Sequence, residues 1–161
     1  MMNSTQTINI RIAGLGGMGI LKSSHVLAEV LFRSGYDVKK AEVHGMSQRG
    51  GSVASDIRFG QKILSPMIPD GETDYLLILA PEEIDIHRPA LRPGGVLINA
   101  QSFDQVPLPN RKSLNIAMLG TLSRHLDIPI ETWSRIIRET FPEKLHAINL
   151  ESFSAGRNLV K

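Results

Sequence analysis

The chain has 161 residues, of which 42% are apolar, and this size and composition are typical of one globular domain spanning 1–161. The formal net charge is +2 without a dense lysine or arginine cluster, which argues against nucleic-acid binding. The absence of cysteine excludes disulfides, cysteine nucleophiles and thiolate-ligated clusters within the chain. No apolar run reaches the ~18 residues of a membrane span, and residues 1–7 are polar and lack the apolar stretch of a signal peptide, so we expect a cytoplasmic protein without a membrane partner.

The N-terminal part of the chain predicts a strand, a helix and a second strand. Isoleucines alternate with polar residues over 8–13, which predicts a strand. Apolar residues at helical spacing over 19–32 predict a helix, and Ser34-Gly35 ends it. Residues 36–43 again have strand character. The three elements together are typical of a right-handed parallel βαβ unit.

The remainder of the chain continues the α/β pattern. Further strands are predicted over 53–59, 75–80 and 96–99, a short helix from Pro81, and helices over 115–126, 129–140 and 143–153. Trp133 is expected in the core. The alternation of strands and helices predicts a three-layer α/β/α domain with a mostly parallel central sheet and a helical C-terminal third.

A glycine-rich loop follows the first predicted strand. Its glycines match the pattern G-x-G-x-x-G between a strand and a helix, where the backbone approaches a phosphate and the helix N-terminus attracts it. The candidate ligand-binding residues of this loop are Gly14, Gly16, Gly17, Met18 and Gly19. A tight turn that binds no ligand is the alternative.

Two neighbouring positions bear on the type of nucleotide site. Glu42 is the candidate for the acidic residue that dinucleotide-binding domains place at the end of the second strand. Ile20 and Leu21 stand where a P-loop requires lysine and serine or threonine, which excludes a P-loop.

A second glycine-rich segment, 44–52, precedes the third predicted strand. Its candidate binding residues are Ser47, Gln48, Arg49, Gly50, Gly51 and Ser52, among which Arg49 would make a charge-assisted contact with an anion or a partner surface. One alternative is a solvated loop whose glycines form a bulge. Another is a hydrolase site with Ser47 as nucleophile and His44 as base, although the spacing departs from the G-x-S-x-G elbow.

The remaining histidines show no metal-ligand spacing, so we expect no metal site in this chain. They are His25, His87, His125 and His146, and we expect them at the surface.

The two glycine segments in this order resemble the gamma-type subunit or domain of 2-oxoacid:ferredoxin oxidoreductases, and most of all the beta subunit of indolepyruvate ferredoxin oxidoreductase. That family carries G-x-G-G-Q-G, which is similar to 14–19, and E-x-x-G-M-S-Q-R-G-G-S-V, which matches 42–53. Similar stretches are also found at 65–74, 115–122 and 149–157.

The resemblance implies a gamma-domain-like fold and a chain with no catalytic residue of its own. Enzymes of this family oxidatively decarboxylate a 2-oxoacid, pass electrons to ferredoxin and commonly form an acyl-CoA. It implies that thiamine diphosphate and 4Fe-4S clusters lie on a larger catalytic partner subunit, with CoA as a candidate ligand at the interface. The isolated chain is then expected to self-associate. The alternative is a stand-alone Rossmann-like module that binds a nucleotide or CoA.

Three features depart from the family pattern. Met18 stands where the family usually has glutamine, and Ala80 where relatives often have glutamate. The chain is also shorter than typical members, with the trimming expected near 100–114. These departures predict either a different acid substrate or a loss of activity.

Overall fold

The computed structural model describes residues 6–44 and 51–159, which form one mixed sheet with helices on both faces. The strands are β1 (Ile8–Leu15), β2 (Asp37–His44), β3 (Ser52–Gly60), β4 (Thr73–Ile78) and β5 (Leu91–Asn99). The helices are α1 (Ile20–Arg33), α2 (Ile84–His87), α3 (Leu114–Leu122), α4 (Ile130–Thr140) and α5 (His146–Arg157). Among the described helices, none combines the length and apolar character needed to cross a membrane.

The strands of this sheet follow the order β2-β3-β1-β4-β5. β1 and β4 pair in parallel, as do β4 and β5, whereas β3 pairs antiparallel with both β1 and β2. Four strands therefore run in one direction and β3 alone runs against them. This arrangement confirms the predicted mostly parallel sheet in an α/β domain.

The predicted βαβ unit is wrong in one respect, because β3 lies between β1 and β2. His44 at the end of β2 pairs with Val53, and Ser52 at the start of β3 pairs with Leu15 at the end of β1. Segment 45–51 thus joins two antiparallel strands, for which a short connection suffices. The strand β5 also starts earlier than predicted, at Leu91, and its pairing with β4 is irregular between Thr73 and Tyr75.

The main core lies between the sheet and the long helices. Side chains of alternate strand residues such as Ile10, Ile57 and Leu77 pack there against α1 and the C-terminal helices. Trp133 is fully buried in this core, as predicted, and its ring lies 5.4 Å from that of Phe153. The opposite face is covered more thinly, where Ile84 of α2 packs on a small apolar cluster.

Helices α3 and α5 approach each other closely enough to require glycine at the contact. A Cβ atom added at Gly156 would overlap the carbonyl oxygen of Ala117, and one added at Gly120 would overlap the carbonyl oxygen of Phe153. The Thr121 hydroxyl donates to the carbonyl of Gly156 over 2.9 Å, which fixes the pair further. Together with α4, this helical pair forms the predicted C-terminal third, and it supports the residues that approach the glycine loop.

Candidate functional site

The two glycine-rich segments meet at one end of the sheet. β1 ends at the same place where the antiparallel strand β3 begins, so Leu15 is paired with Ser52. One residue further on each side, the amide of Gly16 donates a hydrogen bond of 2.9 Å to the carbonyl of Gly51. The structure therefore brings the first loop together with Gly51 and Ser52.

The other predicted residues of the second segment lie outside the described residues. These are Ser47, Gln48, Arg49 and Gly50. Their part in a site stays a prediction, as does the hydrolase alternative that depends on Ser47.

The first loop has a backbone that only glycine adopts readily. Gly17 and Gly19 have φ angles of 88° and 76°, in the left-handed region that side chains disfavour. A Cβ atom at Gly19 would also lie 2.5 Å from Nδ2 of Asn115. That same amide nitrogen donates to the carbonyl of Gly19 over 3.0 Å. Asn115 thus holds the loop at Gly19, a role for which the sequence offers no signal beyond the family likeness of 115–122.

A cavity of about 510 Å³ opens beside the loop. Its walls come from the first loop, the start of α1 and the start of β3. Gly16, Gly17, Lys22 and Val53 are among the residues that line it. The first turn of α1 has neither a capping side chain nor an acidic residue, so its N–H groups can be offered to an anion. The cavity therefore combines open space, a glycine backbone and a helix N-terminus.

Two further cavities adjoin the loop, with volumes of about 420 and 260 Å³. Met18 lines both, together with Lys112, while Arg111 lines the larger and Lys22 the smaller. In the described part of the chain, no carboxylate is within ion-pair distance of these three cations. The loop is therefore flanked by positive side chains that form no ion pair within 6–44 and 51–159.

Arg111 is held in place by main-chain acceptors. Its Nη1 donates to the carbonyls of Phe103 and Val106 over 3.0 and 3.2 Å. The sequence offers no local signal for this arrangement, because Arg111 and Lys112 follow a stretch without periodicity and approach the loop only through the fold.

The thinly covered face of the sheet carries a cluster of buried polar side chains. Arg11 donates two hydrogen bonds to the carboxylate of Asp56, at 2.7 and 2.8 Å, and this bonding raises the pKa of the guanidinium. The hydroxyl of Ser52 donates to Oε2 of Glu83 over 2.5 Å. Nε2 of His87 lies 3.3 Å from the same oxygen and has no hydrogen-bond partner among the described residues.

The prediction that the scattered histidines lie at the surface is wrong for His87. It is only 8% exposed, because it lies on the short helix α2 that covers the thin face of the sheet. Burial lowers the pKa of its imidazole, and the positive charge of Arg11 acts in the same direction. His25 and His125 are exposed and His146 is half-buried.

Glu42 does not occupy the place expected of the acidic residue in a dinucleotide site. It lies on β2, and β3 separates this strand from β1 and its glycine loop. Its carboxylate is instead paired with Lys40 over 3.0 Å. The inserted strand therefore removes one half of the dinucleotide pattern that the sequence suggested.

Comparison with known proteins identifies relatives over almost the whole chain. The family model described as pyruvate ferredoxin/flavodoxin oxidoreductase matches residues 9–159. The indolepyruvate oxidoreductase subunit IorB of Thermococcus kodakarensis is 35% identical over 147 residues. That match covers 91% of this chain and 67% of the relative, so the chain spans about two thirds of the relative's length.

Solved structures share the fold at lower identity. The gamma subunit of a keto/oxoacid ferredoxin oxidoreductase from Geobacter sulfurreducens has a TM-score of 0.77 at 21% identity, covering 94% of this chain and 97% of that one. A 2-oxoglutarate:ferredoxin oxidoreductase from Magnetococcus marinus, described with 2-oxoglutarate, coenzyme A and succinyl-CoA bound, has a TM-score of 0.78 at 22% identity. There the match covers 96% of this chain and 31% of that chain. The predicted gamma-domain-like fold is confirmed.

Proposed function

Because this chain belongs to the pyruvate ferredoxin/flavodoxin oxidoreductase family, we propose that it is the non-cluster-bearing subunit of a cytoplasmic 2-oxoacid:ferredoxin oxidoreductase of the indolepyruvate or pyruvate type. In that enzyme it supports the oxidative decarboxylation of a 2-oxoacid to an acyl-CoA, with electrons passed to ferredoxin. The observation that carries the proposal is the junction of the two glycine segments through Gly16 and Gly51, beside an open cavity.

The residues of this chain do not fit an iron–sulfur cluster. The chain contains no cysteine, and cysteine thiolates are the ligands that hold 4Fe-4S clusters. We therefore assign the clusters to a larger partner subunit, which also holds thiamine diphosphate. Ferredoxin then interacts with the assembly through that partner and has no direct contact with this chain.

Exposed apolar side chains supply a surface for such a partner. Leu64 and Met67 are 86% and 71% exposed on the loop that follows β3. Arg58 ties this loop to the sheet by donating to the carbonyls of Ser65 and Met67 over 3.0 and 2.9 Å. Large apolar side chains on an anchored loop suit packing against another chain, and in its absence they favour self-association.

The cations around the glycine loop fit CoA as a ligand at the interface. CoA carries a diphosphate and a further phosphate, and Lys22, Arg111 and Lys112 flank the loop without carboxylate partners in the described ranges. A bound phosphate would also face the first turn of α1, where backbone N–H groups favour anions. We propose that this edge contacts CoA once the partner encloses it.

Co-purification tests the proposed assembly. A tagged version of this chain is co-expressed with a candidate large subunit that carries cysteine motifs for iron–sulfur clusters, and the molar mass of the purified species is measured by light scattering after gel filtration. We expect a stable hetero-oligomer that contains thiamine diphosphate and iron. Elution of this chain without a larger partner would contradict the assignment.

The stand-alone nucleotide-binding module is the competing function, and it makes a different prediction for the isolated chain. Titration calorimetry with NAD, FAD and CoA distinguishes the two. Tight binding of a dinucleotide without a partner would favour the module. The separation of Glu42 from the glycine loop by β3 argues against that result.

A further inference from the structure

Glu83 is a buried carboxylate whose role the proposed assembly does not explain. It is 5% exposed, in the turn that follows β4. A buried carboxylate is costly unless hydrogen bonds or a cation compensate for its lost hydration. The contact that meets this need is the hydroxyl of Ser52, which donates over 2.5 Å. A hydrogen bond to a charged group of this kind is among the stronger ones in proteins.

The position of Ser52 connects this contact to the cavity. Ser52 is the first residue of β3, directly after Gly51, whose carbonyl accepts from Gly16 of the glycine loop. The next residue, Val53, lines the cavity of about 510 Å³. Two consecutive residues are thus each bonded to a different segment. Gly51 accepts from the loop after β1, and Ser52 donates to the turn after β4.

The hydrogen bond from Ser52 is the main contact of the Glu83 carboxylate among the described residues, because the nearby titratable groups are neutral or otherwise paired. His87 of α2 faces this carboxylate at 3.3 Å, and burial lowers the pKa of the imidazole although the nearby Glu83 carboxylate acts in the opposite direction. Arg11 of β1 is engaged by Asp56 of β3 through both carboxylate oxygens. Among the described residues, Glu83 therefore has no permanently charged partner, and its carboxylate accepts a hydrogen bond from the hydroxyl of Ser52.

We propose that Glu83 is a positioning residue of this site, which holds the start of β3 against the glycine loop through Ser52 and thereby sets the wall of the cavity. It lines none of the three cavities described above, and its side-chain hydrogen bond to that region, within the described residues, is the one from Ser52. The link to CoA binding rests on the function proposed above.

Hydrogen exchange on the full-length chain tests the positioning itself, with or without a partner. The amide of Gly16 is the probe because it is bonded to Gly51. In Ser52→Ala and Glu83→Ala we expect this amide to exchange about tenfold faster, since a hydrogen bond to a charged group is lost. Amides within α3 and α5 should keep their protection. Ser52→Thr, which keeps the hydroxyl, and Glu82→Ala, which alters the exposed neighbour, should behave as wild type.

The exchange result decides the inference independently of the assembly. Unchanged exchange at Gly16 in Ser52→Ala would overturn it, and this variant carries the test if Glu83→Ala fails to fold. In the assembled enzyme we expect the KM for CoA to rise about tenfold in Ser52→Ala with kcat within about twofold, and Ser52→Thr to restore it. An unchanged KM would overturn the connection to the site. Failure of the wild-type chain to assemble would instead refute the proposed function, with the exchange result still standing.

Discussion

The amide of Gly16 donates a hydrogen bond to the carbonyl of Gly51 over 2.9 Å, and this contact joins two segments that are remote in sequence. It exists because β3 runs antiparallel beside β1, so that the start of one strand meets the end of the other. A dinucleotide-binding βαβ unit would place β2 in that position. Because β3 is inserted there, the glycine loop after β1 and the start of β3 together form this end of the sheet.

Substitution of Gly19 by alanine should distort the first loop more than substitution of Gly17. Both residues have positive φ, which costs alanine about 1 kcal/mol or more. At Gly19 the new Cβ atom would also collide with Asn115, whereas at Gly17 no atom of the described ranges lies within 4 Å. We expect Gly19→Ala to lower the unfolding free energy by about 1 kcal/mol more than Gly17→Ala, measured by urea denaturation. Equal losses in the two variants would show that Asn115 does not clamp the loop.

Substitution of Gly156 by alanine should be strongly destabilising. The added methyl group would overlap the carbonyl of Ala117, so α3 and α5 would have to separate. We expect a loss of about 3 kcal/mol in the unfolding free energy, since overpacking at a backbone contact cannot be relieved by a rotamer change. The matched control is Ser154→Ala on the exposed side of α5, which should remain within about 0.5 kcal/mol of wild type. A mild effect of Gly156→Ala would contradict the close helix packing.

His87 should make the stability of the fold fall in mildly acidic solution. Its pKa is lowered from the ordinary value of 6.5, so below that pH the unfolded chain binds a proton that the folded chain resists. Stability from this group is therefore complete above about pH 6.5 and declines as the pH falls. Thermal denaturation of wild type and His87→Gln between pH 5 and 8 measures the difference.

We expect the wild type to lose more stability than His87→Gln over that range of pH. The exposed His25→Gln controls for the loss of an imidazole as such. Asp37, whose pKa is lowered by the amide of Ile63, contributes in both proteins and cancels in the comparison. If the stability of wild type and of His87→Gln changed equally with pH, the pKa of His87 would not be lowered in the folded chain.

Arg49→Ala tests the predicted polar contact of the second segment. If Arg49 makes a charge-assisted contact with substrate, CoA or the partner, its loss should lower kcat/KM of the assembled enzyme by about tenfold. The melting temperature of the isolated chain should stay within about 2 °C of wild type. The control is Arg88→Ala, an exposed arginine after α2. A large fall in melting temperature with Arg49→Ala would make the residue structural.

The sequence predicted the elements of this fold better than their arrangement. The alternation of buried Ile57 and Phe59 with polar residues identifies a strand. That alternation fits a strand beside β1 as well as one at the sheet edge, so the position of β3 could not be predicted. His87 was missed because α2 spans four residues, too few for a helical period to mark a buried face. The approach of Arg111 to the glycine loop depends on long-range packing and leaves no local pattern. The glycine loop itself was predictable, because strand, glycines and helix follow one another directly.

Reconstituted turnover shows whether this chain is a required subunit of the enzyme. The large subunit and this chain are purified separately and assayed alone and mixed, with a 2-oxoacid, CoA and ferredoxin, by following ferredoxin reduction. We predict that only the mixture reduces ferredoxin at a rate dependent on both the 2-oxoacid and CoA. Full turnover by the large subunit without this chain would contradict the account.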